Sequence, residues 1–235
     1  MKIVFLTGAG ISAESGISTF RDSDGLWENY PVQDVASIDG YIRNPELVIQ
    51  FYNERRKQLL NVQPNAAHKL VAALQDYFDV VVITQNIDNL HEQAGSKKVI
   101  HLHGELMKAT SSTNPNDPRQ IQTLNADNPL IHIGDKAKDG SQLRPFIVWF
   151  GESVPQIEPA IKEVEKADVF VVVGTSLNVY PAAGLLQYTN LHTPIYLIDP
   201  KPTNVPSWMP VTVIPQKATE GMKELTRYLP ESPLL

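Results

Sequence analysis

Short apolar runs, mostly of β-branched residues, recur along the chain and each ends in a glycine or a polar turn: Ile3 to Leu6, Val80 to Ile83, Val169 to Val173, Ile195 to Ile198 and Val211 to Ile214. Four or five apolar residues without polar alternation suit a strand covered on both faces, as in a parallel sheet. Between these runs, apolar positions fall at helical spacing over Ala66 to Tyr77, Ile87 to Gln93, Gln156 to Lys166 and Ala218 to Tyr228. Strands alternating with helices predict an α/β fold with a doubly wound parallel sheet.

Two stretches break the alternation. Asn29 to Gln63 is too long for a strand-to-helix link and carries its own amphipathic helix, with Pro45 at its start. Thr110 to Arg144 is polar and builds on Ile121, Leu124, Leu130, Ile131, Ile133 and Leu143. A structureless loop of that length is rare inside a compact domain. The two insertions are therefore expected to fold together as a smaller lobe: residues 29–63 and 105–144, set into a larger domain of 1–28, 64–104 and 145–235.

Composition narrows the class. A chain of 235 residues with 42% hydrophobic and 20% charged residues excludes disorder, collagen and coiled coil. Twenty basic against 26 acidic side chains give a formal charge of -6, which disfavours binding to nucleic acid. The N-terminus has four consecutive apolar residues, short of the roughly 7 to 15 of a signal peptide, and no run approaches a membrane span. A cytoplasmic protein without membrane contact is expected, and a monomer, because no long apolar helix stripe demands a partner. Cysteine is absent, which removes disulfides, thiolate nucleophiles and cysteine-based metal sites.

Polar groups gather where the strands should end. Gly8-Ala9-Gly10-Ile11-Ser12-Ala13 is a G-x-G-x-x-A pattern that runs from the first strand into a helix. Such glycines let a backbone approach a pyrophosphate, while the helix N-terminus offers amide donors; a plain structural turn is the alternative. The acidic residue usually found about 20 positions on, after a second strand, is missing: Glu28 has the spacing but no strand before it. Gly174-Thr175-Ser176 and Asp199 close two further strands, and Thr84-Gln85-Asn86-Ile87-Asp88 a fourth. Ligands of open α/β sheets bind at such ends. Asn86 and Asp88 are alternatively helix caps, although one cap would need only one of them.

His101 and His103 alternate after a short apolar strand and so share a face. They find no third metal ligand at convincing spacing, and His91 reads as packing on its own helix. One of the pair as a general base is the better functional reading. There is no G-x-S-x-G elbow for a serine hydrolase.

Taken together, Gly8 to Ile17 with Thr19-Phe20-Arg21, Thr84 to His91, His103-Gly104-Glu105, Leu143-Arg144-Pro145, Phe150-Gly151-Glu152 and Gly174-Thr175-Ser176-Leu177 closely resemble the sirtuin family. The resemblance covers most of the chain. It implies a Rossmann-like large domain and a small lobe, with NAD and an acylated lysine of a protein substrate meeting between them. In that family the acyl oxygen attacks the ribose carbon that carries nicotinamide, and a histidine acts as base on the ribose hydroxyls. The products are nicotinamide, free lysine and O-acyl-ADP-ribose.

Carried over motif by motif, His103 is the base, and Gln85, Asn86, Ile87 and Asp88 surround the nicotinamide and its ribose. An ordered water and an amide-binding aspartate are expected there, and Asn86 is expected to take part in catalysis. Gly8, Ala9, Gly10, Ser12, Thr19, Phe20 and Arg21 form the NAD-binding turn and loop, with Gly174, Thr175, Ser176, Asp199 and Ala218 on the adenosine side. Val148, Phe150 and Ile87 wall the acyl-lysine tunnel. Gly151 and Glu152, with Asn178, Val179 and Tyr180, pair with substrate backbone.

Two departures stand out. Most relatives hold a structural zinc with two Cys-x-x-Cys pairs; here the matching stretches, Lys108 to Asn114 and Gly134 to Ala137, have no thiolate. Packing must replace the metal, with a helix starting at Asp117-Pro118 and Ile121 and Leu124 against Leu130 and Ile133. Ser18 stands where relatives often have proline.

The helix Leu47 to Leu60 sharpens the reading. Val48, Tyr52, Arg55 and Leu59 share one face, and an arginine on an apolar face needs an anionic partner, unless it reaches solvent or a protein carboxylate. The Tyr-x-x-Arg pair resembles the sirtuin branch that removes succinyl and malonyl groups, whose terminal carboxylate Arg55 and the Tyr52 hydroxyl would bind. Arg56 also lies one turn from Tyr52, but off the apolar face. An NAD-dependent lysine deacylase preferring acidic acyl groups is expected; an NAD glycohydrolase or ADP-ribosyltransferase on the same scaffold is the alternative, and a non-catalytic NAD-binding module a third.

Overall fold

In a computed structural model, which describes residues 1–17, 30–201 and 210–230, the apolar runs form the strands of one sheet. The strands in chain order are β1 (Lys2–Thr7), β2 (Asp79–Thr84), β3 (Val99–His101), β4 (Gly104–Ser111), β5 (Gln122–Thr123), β6 (Leu143–Ile147), β7 (Val169–Val173), β8 (Ile195–Ile198) and β9 (Val211–Ile214). Six of them make a parallel sheet in the order β3-β2-β1-β7-β8-β9. The other three form an antiparallel sheet, β5-β4-β6, with β6 running through residue 145.

Alternate residues of each central strand enter two different cores, which is why these runs show no polar alternation. Ile3, Phe5, Val80, Val82 and Val171 face one side, covered by the helices Ala66–Ala73 and Ala218–Leu225 through Val71 and Met222. Val4, Leu6, Val81, Ile83 and Val172 face the other, covered by the helix Ile157–Val164 and the tight helical stretch Ala182–Tyr188. The edge strand β9 departs from the expected buried run: Thr212 and Val213 are exposed and only Ile214 is buried, because among the described residues no strand pairs beyond it. The helix expected from Ile87 begins at Leu90 instead and ends at Gln93. Among the described residues no helix is long and apolar enough to cross a membrane.

A third core joins the insertions. The helix α4 (Pro45–Leu59) follows the short helices α1 (Ala9–Ala13), α2 (Val32–Val35) and α3 (Ile38–Arg43). Asn44 caps it by accepting from Leu47 N at 3.0 Å, and Pro45 takes the first position, where a missing N–H costs nothing. Its Val48, Phe51, Tyr52 and Leu59 pack with Leu106, Ala109, Ile131, Leu143 and Trp149 of the small sheet and its loops. Arg56 is fully buried and bolts α4 to β4, donating from Nε to Leu106 O at 2.8 Å and from Nη1 to Asn53 Oδ1 at 2.7 Å. Its burial lowers the guanidinium to about 10.

The stretch that carries zinc in relatives does not suit a metal here. The chain has no cysteine, and among the described residues no three His, Asp or Glu side chains cluster as ligands. The helix expected at Asp117-Pro118 is a turn, its Asp117 carboxylate taken by Arg119. Ile133 is 54% exposed, and Ile131 fills the core in its place. A hydrogen-bonded knot holds these stretches: the buried Ser111 Oγ donates to Asp139 Oδ2 at 2.6 Å and accepts from Thr113 N and Asn114 N at 3.0 and 2.8 Å. Asp139 Oδ1 accepts from Ser141 N and Oγ, and Gln120 Oε1 accepts from Asp139 N. These donors hold the Asp139 carboxyl well below the usual range, with the Ser111 hydroxyl first among them. Ser111→Ala is expected to cost about 1 kcal/mol, lowering the melting temperature by roughly 2–4 °C, while a chelator leaves it unchanged; calorimetry with and without chelator checks both.

Candidate active site

The C-terminal ends of β1, β2, β7 and β8 open onto the third core across a cleft of about 930 Å³. Open parallel sheets hold ligands at this edge because the loops that leave it diverge. Gly8, Ala9, Gly10 and Ser12 line the cleft with Gln85, Asn86, Ile87 and Asp88 and with Gly174, Thr175, Ser176, Asp199 and Ala218. His103, Tyr52, Arg55, Val148, Phe150, Gly151, Glu152 and Val179 line it too. Asn178 is not part of the lining. Ser18, Thr19, Phe20, Arg21 and Glu28 lie outside the described residues.

The glycines of the first turn have a duty the pattern did not reveal. A Cβ on Gly8 would fall 2.7 Å from the Thr175 Cβ, and one on Gly10 2.6 Å from the Gly174 Cα. Gly10 N donates to Gly174 O at 2.8 Å and Gly8 N to Val173 O at 3.0 Å. Two of the expected amide donors are thus taken inside the fold, and both glycines serve first to lock β1 to β7.

The residues 85–89 leave β2 without becoming helical, and their polar groups are held from below. Asn86 Nδ2 donates to Ser12 Oγ at 3.1 Å, and Ser12 Oγ donates to Asp88 Oδ2 at 3.0 Å. The fully buried Ser12 hydroxyl therefore positions two other site residues. Asp88 Oδ1 accepts from Leu90 N at 3.1 Å, so this residue is also a cap. Burial raises the Asp88 carboxyl, opposed by its bonds from Leu90 and Ser12. Gln85 Nε2 donates to Thr175 Oγ1 at 2.9 Å, tying the ends of β2 and β7.

Beneath them sit two histidines. His68 lies 3.4 Å from Ser12 Oγ through Nε2, and His91 3.1 Å from Thr7 Oγ1 through Nε2. Their rings meet edge to face at 4.9 Å. His91 thus reaches to β1 instead of packing on its own helix. Desolvation keeps both neutral: His68 is lowered to about 4 and His91 well below the ordinary imidazole value.

His101 and His103 grip consecutive carbonyls, yet they differ chemically. His103 Nδ1 donates to Gln85 O at 3.0 Å. A carbonyl only accepts, so Nδ1 carries the hydrogen and Nε2 holds the free lone pair of a neutral base. Desolvation lowers its pKa, which keeps it neutral at pH 7. His101 Nδ1 donates to Asn86 O at 3.1 Å while Nε2 lies 2.7 Å from Glu92 Oε1. Both partners only accept, so both nitrogens carry hydrogen and His101 is a cation. Burial opposes that charge, but Glu92 outweighs it and the pKa is raised. Their positions differ as well: His101 ends β3, and of the two only His103 lines the cleft.

The far wall comes from α4 and the loop after β6. Tyr52 and Arg55, buried on one face of α4, line the cleft. Phe150 already pairs both backbone groups with the chain at Ala36 and Ile38 (2.9 and 3.0 Å). The Glu152 carboxylate is bound within the fold: it accepts from Arg144 Nη1 and Nη2 at 2.8 and 3.0 Å and from Trp149 N at 2.9 Å, and the Glu152 N–H bonds to Trp149 O. Of the expected peptide-pairing residues, Gly151, Glu152, Val179 and Tyr180 line the cleft and Asn178 does not.

Comparison with known proteins agrees with this geometry. The Sir2 family profile matches residues 8–181. The chain belongs to the Sir2 family. It is 58% identical over 232 residues to an NAD-dependent protein deacylase of Bacteroides thetaiotaomicron, covering 99% of each chain, and 49% identical over 224 residues to one of Helicobacter pylori, covering 95% of each. A crystal structure of a Sir2 homologue–NAD complex superposes with a TM-score of 0.85 at 39% identity, covering 97% of this chain and 88% of the other.

Several Sir2 cleft residues went unnoticed in the sequence. Trp149 sits between two residues that were singled out, and its isolated aromatic letter carried no periodic signal. His68, fully buried beneath the cleft and outside its lining, lies on a helix that reads as ordinary core. Lys217 stands just ahead of Ala218 as the N-cap of its helix, and Glu14 anchors that helix by accepting from Thr219 N and Oγ1 at 2.9 and 2.7 Å.

Two pH dependences follow from the imidazoles. A base that must be neutral loses activity on acidification, so kcat/KM is expected to fall with an apparent pKa below the free imidazole value of 6.5; His103→Ala should abolish turnover at every pH. The His101–Glu92 pair contributes stability above the unfolded carboxylate value of 4.5 and below the unfolded imidazole value of 6.5, and loses it as pH rises through the raised His101 pKa. Glu92→Gln is therefore expected to lower the melting temperature most between those values and progressively less in alkaline buffer, as read by thermal melts across pH.

Proposed function

We propose that this Sir2 enzyme, an NAD-dependent protein deacylase, removes succinyl and malonyl groups from lysine in preference to acetyl. The observation that carries the preference is the pairing of Tyr52 and Arg55 on one buried face of α4, both lining the cleft that holds His103. Desolvation lowers the Arg55 pKa, and nearby Tyr52 and Asp88 oppose that shift. A carboxylate placed beside it offsets the desolvation that burial imposes.

The cleft suits NAD by its donors and acceptors. Asn86 and Asp88 offer partners for a carboxamide, and Asp199, buried at the end of β8, supplies the acidic group that the first turn lacks. NAD supplies an electrophilic ribose carbon with nicotinamide as its leaving group, and the substrate's acyl oxygen is the nucleophile. His103 Nε2 then takes the proton of a ribose hydroxyl, with Nδ1 held by Gln85 O so that the lone pair faces the cleft. Asn86, fixed by Ser12 and by His101 on its carbonyl, orients the groups at the cleft floor. Ile87 and Val148 exclude water from the lysine chain. One water is consumed as the lysine amine is released, and nicotinamide, free lysine and O-acyl-ADP-ribose result.

A charge-assisted hydrogen bond contributes about 1.5–3 kcal/mol, so the clamp should favour a dicarboxylic acyl group by roughly ten- to 150-fold. Succinyl-, malonyl- and acetyl-lysine peptides compared on wild type, Arg55→Met and Tyr52→Phe test this. Both substitutions are expected to raise KM for the acidic substrates and collapse their advantage; an unchanged ratio overturns the preference. Nicotinamide release should require the acyl peptide, and release that ignores it would favour NAD glycohydrolysis instead.

A further inference from the structure

The Tyr52 hydroxyl has a direction. Trp149 Nε1 donates to its oxygen at 3.0 Å, and an indole nitrogen can only donate, so Tyr52 is the acceptor in this bond. The phenol's own hydrogen must go elsewhere. Among the described residues no group accepts it, although Tyr52 is 2% exposed. A buried donor left without an acceptor is costly, and beside a cleft a ligand can supply that acceptor.

The indole that sets this direction is itself immobilised. The Arg144 guanidinium lies 3.7 Å from the Trp149 ring centroid, and the Tyr41 ring stands 4.7 Å from it. Arg144 is held in turn by both Glu152 oxygens and by Ile147 O at 2.7 Å, and Glu152 also accepts from Trp149 N. Glu152, Arg144, Trp149 and Tyr52 thus form one relay from the loop to the acyl wall.

We propose that Trp149 is a specificity-determining positioning residue: by giving its indole N–H to the Tyr52 oxygen, it turns the phenol hydrogen into the cleft as a donor reserved for the terminal carboxylate of a dicarboxylic acyl-lysine. The inference rests on the acyl preference proposed above and adds its cause. Acetyl-lysine has no terminal acceptor and leaves that hydrogen unmatched; succinyl-lysine satisfies it. Burial pushes the phenol far above its ordinary titration range, so the donor persists at every working pH.

Trp149→Phe removes the N–H and keeps an aromatic ring under Arg144. Its expected effect is a fall of about three- to tenfold in the succinyl-to-acetyl ratio of kcat/KM, expressed in the KM for the succinyl peptide. A double-mutant cycle separates orientation from packing: if Trp149 acts through Tyr52, then Trp149→Phe has no further effect on the ratio in a Tyr52→Phe background. Additive effects, or equal losses for both substrates, overturn the proposal. If Tyr52→Phe and Arg55→Met change the ratio and Trp149→Phe does not, this inference falls and the clamp stands; if none changes it, the clamp falls too. Should Trp149→Phe fail to fold, the indole N–H resonance of Trp149, assigned with Trp27→Phe and Trp208→Phe, carries the test. It is expected to shift in Tyr52→Phe and on binding succinyl-lysine peptide, and a resonance unmoved by both overturns the proposal.

Discussion

The cleft depends on one constraint: residues 85–89 leave a buried strand without entering a helix, so their polar groups must find partners away from water. Those partners are side chains from β2, β3, the helix α1 and the turn between β3 and β4. Thr84 Oγ1 accepts from Asn86 N, His103 and His101 hold the carbonyls of Gln85 and Asn86, and Ser12 links Asn86 to Asp88. Removing any one leaves a buried group unmatched. These bonds tie the segment to the elements around it, so the polar groups at the cleft floor are held by fixed partners.

The same constraint sorts four histidines into different charge states. His68 and His91 bond to hydroxyls, which give and accept, so nothing compensates the desolvation of a charge and both stay neutral. His101 lies between a carbonyl and a carboxylate and is driven to a cation. His103 has a carbonyl on one nitrogen and the cleft on the other, which makes it a neutral base with its lone pair aimed outward. Partners, more than burial alone, decide each role.

What the sequence discloses follows the range of the forces involved. The strands β1, β2 and β7 are legible because a run such as Val169 to Val173 is buried on both faces whatever its neighbours. The inward face of α4 is legible from spacing, and so are the glycine turns, although their tight mutual packing is not. His68, Trp149 and the knot around Ser111 escape because their partners lie far along the chain, from Ser12 at position 12 to Asp139 at position 139. The error at Ile87 has the same source: the local pattern favours a helix, but cleft contacts pull three residues out of it. A motif names Glu152 without naming its bond to Arg144, which only the fold reveals.

These contacts also explain how a lobe without thiolates still serves the reaction. Helix α4 presents Tyr52 and Arg55 to the cleft while its Asn53 and Arg56 face the small sheet, where Asn53 Oδ1 accepts from Ile131 N at 3.0 Å and its Nδ2 donates to Ile131 O at 2.7 Å. Ile131 stands in the loop between β5 and β6, the same loop whose far end, at Asp139, closes on Ser111. A shift in that loop would therefore reach α4 through Asn53 and displace Tyr52 relative to Trp149. A metal would fix the loop by a few strong bonds; here many weak bonds of specified direction do so, and the geometry of the acyl wall inherits their precision.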